Sequence, residues 1–221
     1  MSLRPRYISF DCYGTLIYFE MAPAARKLYA DRIAERDMDA FTRDFSAYRL
    51  DEVLGAWKPY LQVVEGALRR TCAKWGVQYR ESDADTIYAD IPNWGPHPDV
   101  VAPLKRVSEE YPLVILSNSM RILIPHSVTA LQAPFHAVYT AEEAQAYKPH
   151  MRAFEYMLDH LGCGPEDVLH CSSSFRYDHM TADDLGFQMK AFINRGHEPV
   201  CSGYNVQELK DLGGLPALVG L

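Results

Sequence analysis

The sequence predicts an α/β fold, a doubly wound parallel sheet with a block of helices inserted after its first strand. Three observations carry this expectation. Short apolar runs of strand length recur along the chain and end in polar turns. Amphipathic helical patterns separate most of them. Between Ala22 and Asp90 the strand signal almost vanishes, and apolar residues recur at three and four.

The first run, Tyr7-Ile8-Ser9-Phe10, stops at Asp11-Cys12-Tyr13-Gly14-Thr15. A brief strand followed by a polar, glycine-containing turn is how parallel sheets present chemistry at their carboxyl edge. Within the inserted block, Lys27–Ile33, Phe41–Leu54 and Tyr60–Trp75 read as amphipathic helices, with Gly55 and Gly76 as their stops. Pro92-Asn93-Trp94-Gly95-Pro96-His97-Pro98 then breaks the helical pattern. The sheet resumes with a helix over Val100–Glu110 and a strand over Leu113–Leu116, which runs into Ser117-Asn118-Ser119. Phe135–Tyr139 is the next strand, and Arg152–Leu161 the next helix. Asp167–Cys171 leads into three serines, and Met189–Ile193 is the last strand. Buried-looking strands alternating with helices imply a parallel, Rossmann-like core. The expected domains are a core of residues 1–16 and 97–221 and an all-helical insert of residues 17–96.

Composition narrows the function. The 221 residues are 48% hydrophobic and 23% charged, ordinary globular values that exclude a disordered or collagen-like chain. Lysine and arginine number 22 against 29 acids, a net charge of −7, which disfavours nucleic acid and anionic membranes as partners. An anionic small molecule is still compatible, because a pocket can be locally positive. The five cysteines, Cys12, Cys72, Cys163, Cys171 and Cys201, show no zinc-finger or CxxC spacing. The opening MSLRPRYISF has no apolar signal core, and no run is long enough to span a membrane, so a cytoplasmic protein is expected.

The strand ends carry the chemistry: Asp11 and Thr15, then Ser117 and Asn118, then Ser173 and Asp178, with Lys148 ahead of Pro149 on another loop. Together they supply a carboxylate nucleophile, hydroxyl and amide donors to orient it, and a cation to steady its charge. Taken singly, each Asp, Ser or Thr would be read as a helix cap or turn former. In this order at one sheet edge, they read as a site. Cys12 is expected to pack away from that site, and His179 to be a surface or cap residue. The histidines show no ligand spacing, so no metal ligand set is expected.

The segments FDCYGTL (Phe10–Leu16), LSNS (Leu116–Ser119), YKP (Tyr147–Pro149) and Ser172–Asp178 resemble, in order, the four motifs of the haloacid dehalogenase superfamily. The helical insert is similar to that superfamily's cap. Its phosphatases carry a second aspartate two residues after the nucleophile, where this chain has Tyr13, and an acid near Ser173 that helps hold magnesium. A hard cation wants several oxygen anions, and only Asp11 and Asp178 remain. The chain instead resembles the type II 2-haloacid dehalogenase branch, which works without metal or other cofactor. That resemblance implies a hydrolase in which Asp11 displaces halide from a short 2-halo acid. Water would then cleave the ester to release the 2-hydroxy acid with inverted configuration. It assigns Thr15, Ser117, Lys148 and Ser173 to orienting or stabilising the nucleophile. Asn118 would cradle the leaving group, with Tyr13 beside the substrate, and Asp178 would position Lys148 or the hydrolytic water. A homodimer is typical of the branch.

Departures from the branch keep other readings open. Phe154 stands where the branch often has tyrosine, and Phe175, expected near the substrate, where it has asparagine. The branch's cap arginine corresponds to Arg43 or is replaced by Arg176, with Arg176 favoured because the simplest pairing puts Phe41 at the cap position. The altered pocket motivates a second reading, the same nucleophile opening another activated carbon such as a strained-ring amino acid. A magnesium-dependent phosphatase and a binding protein that has lost its chemistry are the remaining alternatives.

Overall fold

The computed structural model describes residues 2–221. The chain divides into two compact units, Met1–Tyr18 with Gly95–Leu221, and Phe19–Trp94. The helical insert is therefore shorter than its expected span by two residues at each end. Backbone pairing explains the difference: Ile17 bridges Tyr13 and Pro96, and the Tyr18 N–H donates to the Gly95 carbonyl. Both hydrogen-bond sets tie these residues to the sheet unit.

The sheet unit begins with β1 (Tyr7–Phe10), and the helical unit follows as α1 (Met21–Tyr29), α2 (Glu35–Leu54), α3 (Tyr60–Trp75) and α4 (Glu81–Asp90). The sheet unit resumes with α5 (Val101–Ser108), β2 (Leu113–Ser117), α6 (Ile124–Leu131), β3 (Ala137–Thr140) and the single turn α7 (Ala141–Ala144). It closes with α8 (Met151–Leu161), β4 (Val168–Ser172), α9 (Met180–Asp184), β5 (Met189–Ile193), β6 (Gln207–Leu209) and α10 (Leu215–Leu218). The strands form one six-stranded sheet in the order β3-β2-β1-β4-β5-β6, every pair parallel. The order reverses at β1, and that switch point is where a parallel sheet opens a crevice at its carboxyl edge.

Residues of β1, β2 and β4 are buried throughout, which is why they read as continuous apolar runs. Val114 and Leu116 of β2 and Val168 of β4 join Phe154, Met157 and Phe187 in one cluster of the core. The β3 strand starts two residues later than its apolar run because the His136 N–H pairs with the Leu113 carbonyl before the ladder begins. The edge strand β6, Gln-Glu-Leu, has no apolar run to announce it.

In the helical unit, α2 and α3 hold buried faces including Phe41, Phe45, Val64 and Leu68. Gly76 ends α3 in the left-handed region at φ 63°, accessible to glycine without a Cβ penalty. Gly55 follows α2 in an extended conformation. Among the described residues, no helix is long and apolar enough to cross a membrane.

Candidate active site

Asp11 leaves β1 with its N–H still donating to the Cys171 carbonyl of β4, so its backbone is fixed by the sheet. The turn that follows needs Gly14 at φ 94°. That turn folds Thr15 back beneath the carboxylate, where its hydroxyl donates to Asp11 Oδ2 at 2.7 Å. Thr15 Oγ1 in turn accepts the Ser173 N–H at 2.9 Å, while the Ser173 hydroxyl donates to the Gly14 carbonyl at 2.9 Å. The turns after β1 and β4 are thus stitched through side chains rather than through strand pairing.

Lys148 is 1% exposed and places its ammonium between two carboxylates, 2.8 Å from Asp11 Oδ1 and 2.7 Å from Asp178 Oδ1. A buried ammonium is costly unless paired and hydrogen-bonded, and this one has both carboxylates. Asn118 holds the lysine's backbone at both faces, accepting the Lys148 N–H at Oδ1 (2.7 Å) and donating from Nδ2 to the Lys148 carbonyl (2.8 Å). Asn118 was expected to cradle a leaving group; its geometry makes it a clamp that sets the lysine.

The three charges shape one another. Burial raises the Asp11 carboxyl above its ordinary value, Lys148 counters, and the negative charge of Asp178 adds to the rise. Burial acts on Asp178 in the same sense, but the Lys148 charge and the His170 hydrogen bond outweigh it, holding Asp178 well below the carboxylate range. For Lys148, burial is outweighed by the two carboxylates, which raise it. In the resting site Asp178 is therefore the carboxylate held charged, and Asp11 the one whose charge is opposed by burial.

Among the other expected residues, Ser117 ends β2, buried, with no hydrogen-bond partner for its hydroxyl among the described residues. Tyr13 is half-buried, and its hydroxyl accepts from Ser127 Oγ at 2.9 Å. Cys12 is buried, and burial pushes its thiol far up.

Three expectations need correction. Phe175 was expected beside the substrate, but its ring is buried in the core against Phe192 and His179, with centroids at 4.6 and 5.3 Å. Arg176 was favoured as the anion grip; its side chain is exposed, and its backbone N–H binds Glu198. The third is His179, which is buried rather than at the surface, its Nε2 3.0 Å from the Ser172 carbonyl. Burial lowers its pKa to about 4. Arg43 is exposed on α2. The helical unit does contain a buried arginine, Arg49, whose guanidinium lies over the rings of Phe19 (4.5 Å) and Phe45 (5.7 Å) and whose Nη1 has no partner among the described residues.

Several contributors escaped the sequence reading. Glu198 accepts from Ser174 Oγ and from the Phe175 N–H, each at 2.7 Å, and so anchors the turn after β4. Arg195 donates to the Thr15 carbonyl at 3.0 Å and pairs with Asp99 at 2.8 Å, bracing the first turn. His170 and Ser9 sit inside strands read as apolar, where a polar side chain gives no periodic signal. Glu198 and Arg195 lie in a Gly- and Pro-containing loop, Arg195–Pro199, that resembles ordinary linker.

A family model described as haloacid dehalogenase-like hydrolase matches residues 5–182. The chain is 25% identical over 197 residues to an (S)-2-haloacid dehalogenase of Pseudomonas putida, covering 85% of this chain and 84% of that one. It is 26% identical over 192 residues to haloacetate dehalogenase H-2 of Moraxella sp. (strain B), covering 85% of each. The solved L-2-haloacid dehalogenase RSc1362 shares the fold, with TM-score 0.83 at 24% identity over 99% of this chain and 100% of that chain. The chain is a hydrolase belonging to the haloacid dehalogenase-like family.

Proposed function

We propose that this enzyme hydrolyses the carbon–halogen bond of short 2-halo acids through an ester on Asp11, without a metal ion. The observation that carries the reading is the Lys148 ammonium seated between Asp11 and Asp178. Both carboxylates that a phosphatase of this family would turn towards magnesium face an N–H donor here, and Tyr13 replaces the acid a phosphoryl leaving group would need. A magnesium site does not fit this donor set, and no step runs through one.

In this mechanism the Asp11 carboxylate attacks C2 of the substrate, and the carbon–halogen electron pair leaves as halide. Halide is stable as an anion, so no general acid is required at that step. Thr15 and Lys148 hold the nucleophile in one orientation, which supplies the positioning component of catalysis. Water then attacks Cγ of the Asp11 ester and gives one proton to Asp178. Collapse releases the 2-hydroxy acid, whose alkoxide takes that proton, and Asp11 returns to a carboxylate as the second proton leaves to solvent.

The five free cysteines fit a reducing, cytoplasmic setting.

The test is halide release from chloro-, bromo- and fluoroacetate and both 2-chloropropionate enantiomers in the presence of chelator. Release that survives chelation supports the reading; release that chelator abolishes contradicts it. A second reading rests on Phe154, whose ring lies against His170 instead of offering a hydroxyl. If no halo acid is turned over but a strained-ring amino acid alkylates Asp11, that reading replaces the first.

A further inference from the structure

The site's polar network does not end at Asp178. In the β1–β4 ladder Ser9 is paired directly with His170, so the two side chains stand next to each other on one face of the sheet. Ser9 Oγ lies 2.8 Å from His170 Nδ1, and His170 Nε2 lies 3.0 Å from Asp178 Oδ1. All three residues are 0% exposed. Lys190 pairs with His170 from the other side in β5, but its ammonium is taken by Asp183 and the Phe187 carbonyl. The His170 ring is packed edge-on by Phe154, centroids 5.4 Å apart.

A buried imidazole at the centre of a parallel sheet is an expensive way to fill space. Its contacts show what it does. Lys148 and His170 both aim their N–H groups at Oδ1 of Asp178, and Oδ2 has no partner among the described residues. With Lys148 alone, the carboxylate would be free to rotate and offer either oxygen. Two donors converging on Oδ1 pin the rotation and leave Oδ2 as the basic atom. A carboxylate also requires that the facing nitrogen carry a hydrogen, which makes Nε2 the donor and turns Nδ1 towards the Ser9 hydroxyl.

We propose that Ser9 and His170 form a positioning pair that fixes the rotamer of Asp178, so that Oδ2 is presented to the water that hydrolyses the Asp11 ester. The pair stands behind the second half-reaction, not the first, because Asp11 is oriented separately by Thr15 and Lys148. The absent hydroxyl at Phe154 is consistent with this, since the imidazole supplies a donor from the strand beside it. The kinetic part of the inference rests on the ester mechanism; the arrangement of the imidazole does not.

The experiment is single-turnover rapid quench with 2-chloropropionate, reading alkylated Asp11 by mass spectrometry, in the wild type, His170→Leu, His170→Gln and Ser9→Ala. Loss of one charge-assisted hydrogen bond predicts that His170→Leu slows ester hydrolysis by roughly ten- to a hundredfold while alkylation changes little, so ester accumulates. His170→Gln, whose amide reaches towards the same oxygen, recovers most of the hydrolysis rate, and Ser9→Ala falls between. Equal slowing of both steps, or no accumulation of ester, overturns the proposal. Should His170→Leu fail to fold, the Ser9→Ala and His170→Gln results decide it alone. Nitrogen-15 NMR of the histidine rings reads the arrangement without substrate: a proton on Nε2 and a resonance that shifts in Ser9→Ala support it. A proton on Nδ1 alone overturns it. If the wild type is never alkylated, the dehalogenase reading has failed, and the NMR result still decides the placement of the pair.

Discussion

Lys148 donates to Asp11 Oδ1 at 2.8 Å from a position almost closed to solvent, and it shares that one positive charge with Asp178. The pair cannot be removed one partner at a time without consequence. Lys148→Met leaves two buried carboxylates facing each other, and turnover should fall by about a hundred- to a thousandfold. Because Lys148 lowers the Asp11 carboxyl, its loss should also move the acid limb of the pH–rate profile upward. Near-normal turnover with an unmoved acid limb would show that the ammonium does not serve the nucleophile.

The opposite shifts of the two carboxylates predict opposite stability effects. Asp178 is held low in the folded state, so its contribution is present above the ordinary carboxylate value of about 3.9 and is lost as pH falls through its folded value. Asp11 is raised on folding, so what it contributes is present below that ordinary value and is lost as pH rises through its folded one. At neutral pH, Asp11→Asn relieves that raised carboxylate but takes one acceptor from Lys148, so stability should stay within about 1 kcal/mol of wild type. Asp178→Asn should cost about 3 kcal/mol, since it strips Lys148 and His170 of their shared acceptor. Denaturant melts of both variants at pH 7 check this; a stabilised Asp178→Asn would contradict this electrostatic account.

Much of this site could be read in the sequence because its residues occupy strand ends, where a polar residue interrupts an apolar run. Asp11, Thr15, Ser173 and Asp178 read that way and Lys148 from the loop ahead of Pro149, and the structure brings the five within one hydrogen-bonded network. What stayed hidden follows a different logic. Ser9 and His170 face each other because of strand register, which only the assembled sheet determines. Phe175 misled because its neighbours are site residues, yet the turn it begins rotates its ring into the core. Arg49 lies six residues past Arg43, on the buried side of the same helix, and nothing in the local pattern distinguishes a buried arginine from a solvated one.

The arginines give a direct comparison. Arg49→Lys keeps the charge but loses the planar guanidinium over Phe19 and Phe45, so it should cost about 1 kcal/mol of stability. Arg43→Lys and Arg176→Lys, both at exposed positions, should leave stability within about 0.5 kcal/mol of wild type. Thermal melts of the three variants check this, an unchanged Arg49→Lys contradicting the stacking role, and a raised KM in Arg176→Lys would support the fourth-loop grip that the sequence favours.

Glu198 offers a test of how far the turn after β4 depends on its anchor. Glu198→Ala removes the acceptor of the Ser174 hydroxyl and the Phe175 N–H. Leaving those donors unsatisfied should cost about 1–3 kcal/mol of stability and lower kcat as Ser173 loses its fixed position against Thr15. Thermal melts together with kcat measurements separate the two effects; a variant as stable and as fast as wild type would show the turn to be held by Thr15 and Gly14 alone.

In the proposed mechanism Asp11 itself becomes the ester. One turnover of excess enzyme in oxygen-18 water tests it most directly. If water attacks the Asp11 ester, the first 2-hydroxy acid released carries an ordinary oxygen from Asp11, and the heavy oxygen is found in the peptide containing Asp11. If the heavy oxygen instead appears in the first product and the Asp11 peptide stays unlabelled, water attacks the substrate carbon itself and the covalent mechanism is wrong.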